Sequence, residues 1–134
     1  MDDSDSSWRA AAYAVGLARR QDARLVVVHV LPRHITAALG GVAWLLKDAD
    51  AERARQLRRR MAVALGCMGE ARALRWEFHV VPGGDTALGL SRVADDLRAD
   101  TVVLGAARGR VHRMFGSAGA RLVRAGRWPV VVVP

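Results

Sequence analysis

The sequence predicts an α/β fold, a doubly wound parallel sheet in a single domain over residues 1–134. Three observations carry that expectation. Four short runs, Leu25–Leu31, Trp76–Val81, Thr101–Ala106 and Pro129–Val133, have the length and β-branched content of strands. Three of them are nearly continuous apolar runs, as strands covered on both faces are. Stretches of helical period lie between them. The resulting order of helix and strand, four times over, builds a parallel sheet with helices on both sides through right-handed crossovers.

The elements follow in chain order. Ser6 or Ser7 is the candidate cap of a first helix running to about Gln21, because a serine oxygen accepts from orphan helix amides. Ala11, Val15 and Ala18 form its inward face. Leu25–Leu31 is the first visible strand. A long second helix from about Val42 to Leu65 repeats Leu46, Ala49, Arg53, Leu57, Met61 and Ala64 at helical spacing. Its other face is the arginine set "ERARQLRRR", which reads as a solvated surface. "WEFHVV" alternates more than the other strands and fits a sheet edge. Asp85 is placed to cap a third helix to about Arg98, with Leu90, Val93, Ala94 and Leu97 inward. After Thr101–Ala106 a fourth helix runs from about Ser117 to Ala125 on Ala118, Leu122 and Ala125. Gly126 and Pro129 end it.

Composition bounds the function. A chain of 134 residues buries roughly two-thirds of its unfolded surface, enough for a core without staples. No apolar run approaches the ~20 residues of a membrane span. The opening "MDDSDSSWRA" lacks the basic and then apolar pattern of a secretory signal. Cys67 is the one cysteine, so no disulfide forms within the chain, and a cytoplasmic setting is expected. The net charge of +8 rests almost wholly on arginine, Lys47 being the one lysine. Such charge attracts phosphates and polyanions. Nucleic acid is still not an expected partner, since the aromatics are scattered and build no stacking platform.

No catalytic set emerges. His29, His34, His79 and His112 have no metal-ligand spacing with Cys67 or with paired carboxylates. His29, inside an apolar run, reads as a core or strand-end histidine. Asp95 and Asp96 are adjacent on a helix and point apart. Cys67, beside Gly66 and Gly69, reads as a small hydrophobe. No catalytic residue and no metal ligand is assigned.

In order and spacing, three segments together resemble the universal stress protein family. "DDSDSSWRAAAYAVGLARRQDARLVVVHVL" is similar to its Asp-x-Ser turn, first helix and strand ending His-Val. "VVPGGDTALGLSRVADDLRADTVVLGA" is similar to its Gly-Asp turn, third helix and fourth strand. "FGSAGARLVRAGRWPVVVVP" is similar to its Gly-Ser turn, last helix and terminal strand. The resemblance implies a five-stranded parallel sheet of the adenine nucleotide alpha hydrolase-like kind, with ATP held at the strands' carboxyl ends in the binding members. Four strands are visible here, and the central first strand is missing or truncated. Three explanations stand. The chain starts about ten residues too late, with Met1 where that strand's last valine belongs; a partner supplies the strand; or the other strands close up. The first is favoured.

The resemblance also implies a site. Asp2 matches the acidic residue on the adenosine side, and Val30 the backbone position that meets adenine. Leu104 and Gly105 end the fourth strand of the pattern, and Gly116-Ser117 match the final Gly-Ser before the last helix. Two departures mark "GAARGRVHRMFGSAG". Arg108 stands where binders carry the second glycine, with Gly109 one place late, and the loop is two residues shorter. Arg108, Arg110, His112 and Arg113 keep it attractive to anions. The candidate binding residues are therefore Asp2, Val30, Leu104, Gly105, Arg108, Gly109, Gly116 and Ser117. The expected function is a stress-response regulatory domain binding ATP or another adenine nucleotide, with Mg²⁺. At most it hydrolyses ATP slowly. The alternative is a module that binds no nucleotide and regulates a protein partner by dimerisation. A homodimer through the terminal strand "PVVVVP" is expected on either reading.

Overall fold

The structure is a computed structural model describing residues 1–31, 43–67, 74–82, 84–106 and 117–134. The order is α1 (Asp5–Gln21), β1 (Leu25–Val30), α2 (Ala43–Gly66), β2 (Trp76–Val81), α3 (Thr86–Asp96), β3 (Val102–Gly105), α4 (Ser117–Ala125) and β4 (Val130–Val133). The alternation is the one the sequence predicts.

Local chemistry fixes the helix ends. Ser4, and neither Ser6 nor Ser7, caps α1, its hydroxyl accepting from the Ser7 amide at 3.2 Å. Ser6 is instead buried in the first turn. Asp85 caps α3 as expected, accepting from the amides of Ala87 at 2.9 Å and Leu88 at 3.2 Å. Two orphan donors are thus satisfied by one carboxylate.

The buried stripe of α2 is Asp50, Ala54, Leu57 and Met61, with Leu65 packed beside it. Ala49, Arg53 and Ala64 are exposed. The two stripes share Leu57 and Met61 and differ in phase, and the arginine would have to shed its water to turn inward. In α4, Leu122 is wholly buried while Ala125 is exposed. Cys67 is exposed at the end of α2, contrary to its reading as a packed hydrophobe.

The helices lie on two sides. Val15 of α1, Val27 of β1 and Met61 of α2 form one buried cluster, joined by Trp8, Trp76 and Phe78. Ala87 and Ala94 of α3, Val102 of β3 and Leu122 of α4 form the other, joined by Leu90, Leu104, Trp128 and Val130.

The strands pair in two parallel couples, β1 with β2 and β3 with β4. Leu25 lies opposite Trp76 and Val30 opposite Val81; Val102 lies opposite Val130 and Gly105 opposite Val133. "WEFHVV" pairs with β1 alone among the described residues. No strand joins β1 to β3 among the described residues, so the four strands do not close up. The amides of Leu25 and Leu31 donate to Arg75 and Val81, so the odd residues of β1 turn their backbone toward β2. The even ones, Val26, Val28 and Val30, turn theirs the other way. The amides of Val102 and Ala106 donate to Pro129 and Val133, which turns the backbone of Val103 and Gly105 away from β4. A cavity of about 870 Å³ lies there, between β1 and β3, walled by α1 and α3.

Candidate functional site at the strand ends

Asp2, Val30, Leu104 and Gly105 all line this cavity. They come from three separate stretches of chain, brought together where β1 and β3 end. Arg108, Gly109 and Gly116, with Arg110, His112 and Arg113, lie outside the described residues. Ser117 opens α4, so the amides of that helix's first turn are at the end of the loop, as the sequence predicts.

Each described position has a local cause. The Val30 side chain is spent on packing: a Cβ added to Gly89 of α3 would stand 3.0 Å from its Cγ2. What Val30 turns to the cavity is its backbone. Leu104 faces the other helix pair, where a Cβ on Gly119 would meet its Cδ1 at 3.3 Å. Gly105 lies under the start of α1. A Cβ there would fall 2.5 Å from the Ser6 carbonyl carbon and 2.8 Å from the Ser7 nitrogen, so only glycine fits. The approach of one backbone to another is a sufficient reason for this glycine.

Asp2 heads a compact turn. Its Oδ1 accepts from the Ser4 hydroxyl at 2.6 Å and the Ser4 amide at 3.1 Å, and its own amide donates to the Ser7 hydroxyl at 3.1 Å. Burial works against its ionisation. The Ser4 hydrogen bonds, with help from the Met1 ammonium and Ser7, outweigh this and hold the carboxyl below its usual range. Its neighbour Asp3 ties the turn to α2, accepting from the Trp8 indole at 3.0 Å and pairing with Arg60. The Arg60 guanidinium also lies 4.8 Å from the Trp8 ring centre, a cation–π contact.

Met1 lies beside β1. Its ammonium donates to the Val28 carbonyl. Its carbonyl accepts from His29 Nδ1 at 2.5 Å, which places the ring proton on that nitrogen. His29 is buried, as read, and stacks on Phe78 at 6.5 Å between ring centres. Its Nε2 is buried with no hydrogen-bond partner among the described residues. Desolvation pulls the Met1 ammonium below its usual pKa, against a smaller opposing pull from Asp2.

Sequence reasoning missed the clamp of Asp3, Trp8 and Arg60. The Asp-x-Ser spacing carried the turn; nothing local signalled a contact between Asp3 and Arg60, 57 positions apart. At the far side, Arg121 of α4 pairs with Asp85, so the cap of α3 also ties the two helices. Among the described residues no group of His, Cys, Asp or Glu could hold a metal ion. No described helix is long and apolar enough to cross a membrane.

The sequence pattern of the universal stress protein family matches residues 1–134. The chain belongs to the universal stress protein family. Its fold is that of solved universal stress proteins. A family member from Burkholderia pseudomallei is 25% identical, with a TM-score of 0.77 over 100% of this chain and 91% of that one. UspA from Lactobacillus plantarum is 22% identical, with a TM-score of 0.79 over 100% and 93%. A universal stress protein in complex with cAMP is 25% identical, with a TM-score of 0.73 over 100% and 92%. No match was found among curated proteins.

Proposed function

We propose that this universal stress protein is a stress-response regulatory domain that binds an adenine nucleotide where β1 and β3 end. The observation that carries the proposal is the convergence of Asp2, the Val30 backbone, Leu104 and Gly105 at the carboxyl ends of β1 and β3, along the cavity that runs between the two strands. Ligands of open α/β sheets bind at that edge. The similar protein solved with cAMP supports an adenine ligand. On this reading Asp2 and the Val30 backbone meet the adenosine side. Phosphates lie toward Ser117, where first-turn amides and the helix dipole favour negative charge. Arg108 supplies a charged fork in place of a glycine's amide contacts. Mg²⁺ would accompany ATP. The protein acts by a population shift: the bound nucleotide favours one arrangement of the site surface, which a partner reads. A homodimer through β4 belongs to the same proposal, since the outer edge of that apolar strand has no strand partner among the described residues. A cytoplasmic location fits the lone Cys67.

Calorimetric titration of ATP with Mg²⁺, and of cAMP, tests the reading. Saturable binding of either, weakened about fivefold by Ser117→Ala, is the expected result. Absence of heat with both ligands overturns it and leaves a dimerising module with no nucleotide, toward which Arg108 in the glycine position already leans.

A further inference from the structure

His29 stands where an aliphatic side chain would pack as well. The strand Leu25–Val30 is otherwise leucine and valine, and His29 is buried in it. A buried polar ring costs stability unless it is bonded. Strand alternation turns it to the face opposite Val30, whose side chain packs toward Gly89 of α3. There the ring stacks on Phe78 of β2 at an interplanar angle of 28°. Among the described residues the ring makes one hydrogen bond, from Nδ1 to the Met1 carbonyl.

That carbonyl belongs to the peptide group joining Met1 to Asp2. The other polar atom of the group, the Asp2 amide, donates to the Ser7 hydroxyl at 3.1 Å. A peptide group is planar. With its oxygen held from β1 and its N–H held from α1, the plane cannot turn, and the Asp2 Cα is placed with it. The other bonds of the turn do less. Those between Asp2 and Ser4 shape it from within and do not fix it to the sheet. The Asp3 pair with Arg60 leads to α2 and is exposed to solvent. The Met1 nitrogen also reaches β1, at the Val28 carbonyl, but rotatable backbone bonds separate it from the peptide plane. The residue after His29 is Val30, whose backbone turns to the cavity. One strand end therefore carries a backbone group of the site and the tether of its acidic residue.

We propose that His29 is a positioning residue of the nucleotide site, its Nδ1 proton holding the Met1–Asp2 peptide plane and so setting Asp2 against the backbone of Val30. The inference rests on the nucleotide reading given above. His29 touches no ligand. It keeps the adenosine side formed before binding, so the nucleotide does not have to order it.

The test is calorimetric titration with whichever of ATP–Mg²⁺ and cAMP binds the parent protein, on His29→Leu, His29→Asn, Asp2→Asn and the double variant of Leu at 29 with Asn at 2. His29→Leu removes the donor and is expected to weaken binding about tenfold. His29→Asn should stay within about threefold of the parent, because its amide nitrogen lies two bonds from Cβ, as Nδ1 does. In the Asp2→Asn background, His29→Leu should cost nothing further. Parent affinity in His29→Leu overturns the proposal. So do equal losses in the Leu and Asn variants, which would assign the effect to packing, and additive losses in the double variant, which would route it around Asp2. If His29→Leu does not fold, His29→Gln takes its place, its nitrogen three bonds out and past the carbonyl. If His29→Asn does not fold, the double variant still decides. Nitrogen NMR of the parent should find the ring proton on Nδ1, and a proton on Nε2 alone overturns the proposal whatever the ligand does. A parent that binds neither nucleotide overturns the nucleotide reading and the positioning role together, whereas a parent that binds and a His29→Leu variant that binds equally overturn the positioning role alone.

Discussion

Gly105, the last residue of β3, lies against the backbone of Ser6 so closely that no side chain fits between them. Backbone meets backbone there, and neither can turn aside as a flexible side chain would. Gly105→Ala should therefore cost about 2 kcal/mol through overpacking, lowering the melting temperature by several degrees. Thermal melting with circular dichroism reads the change. A variant that melts with the parent would show that α1 can lift off β3 at no cost. Affinity measured on the same variant separates the glycine's packing role from any ligand role.

Asp85 combines a cap and an ion pair. Asp85→Ala should lose about 1 kcal/mol, the usual worth of a helix N-cap. Asp85→Asn should keep most of that, because an amide oxygen still accepts from Ala87 and Leu88. The pair with Arg121 is half exposed and contributes little on its own. Urea denaturation of the two variants should thus separate them. Equal losses would mean that the charge, and not the cap, holds α3.

Two groups in the N-terminal turn give stability a pH dependence with opposite origins. The Met1 ammonium has a lowered pKa in the folded state, so the unfolded chain binds a proton that the folded one lacks. Stability should then rise with pH through the window between that lowered value and the unfolded value of 8.0, and level off above it. Acetylating the amino terminus should remove this rise. Asp2 is also lowered, but as an acid: its contribution is present above 3.8 and is lost as pH falls through the folded value. Asp2→Asn should remove that part of the acid sensitivity. Melting midpoints from pH 2 to 9 on the three proteins check both signs.

Among the described residues Leu122 and Met61 are the largest fully buried side chains, one in each hydrophobic cluster. Each truncation to alanine should cost about 3 kcal/mol. Distant sites add within a few tenths of a kcal/mol, so the double variant should lose the sum. Chemical denaturation also tests whether the clusters unfold together. A second transition in the Leu122→Ala variant alone would show that the β3–β4 couple with α3 and α4 melts as a unit of its own.

The alternation of elements was legible because apolar runs of strand length and helical spacing are local patterns. Asp85 was legible as a cap because it stands alone before a helical run. The cap of α1 was not, because "DDSDSSW" offers three serines and only the contact of Ser6 with Gly105 decides which one turns inward. The phase of α2 was missed for a related reason. Arg53 fits the spacing of Leu57 and Met61 as well as Ala54 does, and only the packed neighbours choose. Of the candidate residues, Asp2, Val30, Leu104 and Gly105 were named through the resemblance of the segments that carry them, and all four line the cavity between β1 and β3. That Gly105 answers to a helix backbone is a tertiary fact with no local trace.

Ser6 and Gly105 are about a hundred positions apart, and α1 makes its largest packing contacts with β3. A helix synthesised early thus depends on a strand synthesised late. Until β3 leaves the ribosome, the start of α1 at Ser6 and Ser7 lacks the strand that packs against it, and contacts so distant in sequence form slowly. The newborn chain must carry a sticky, half-dressed helix through most of its synthesis, which makes α1 the natural client segment for a chaperone.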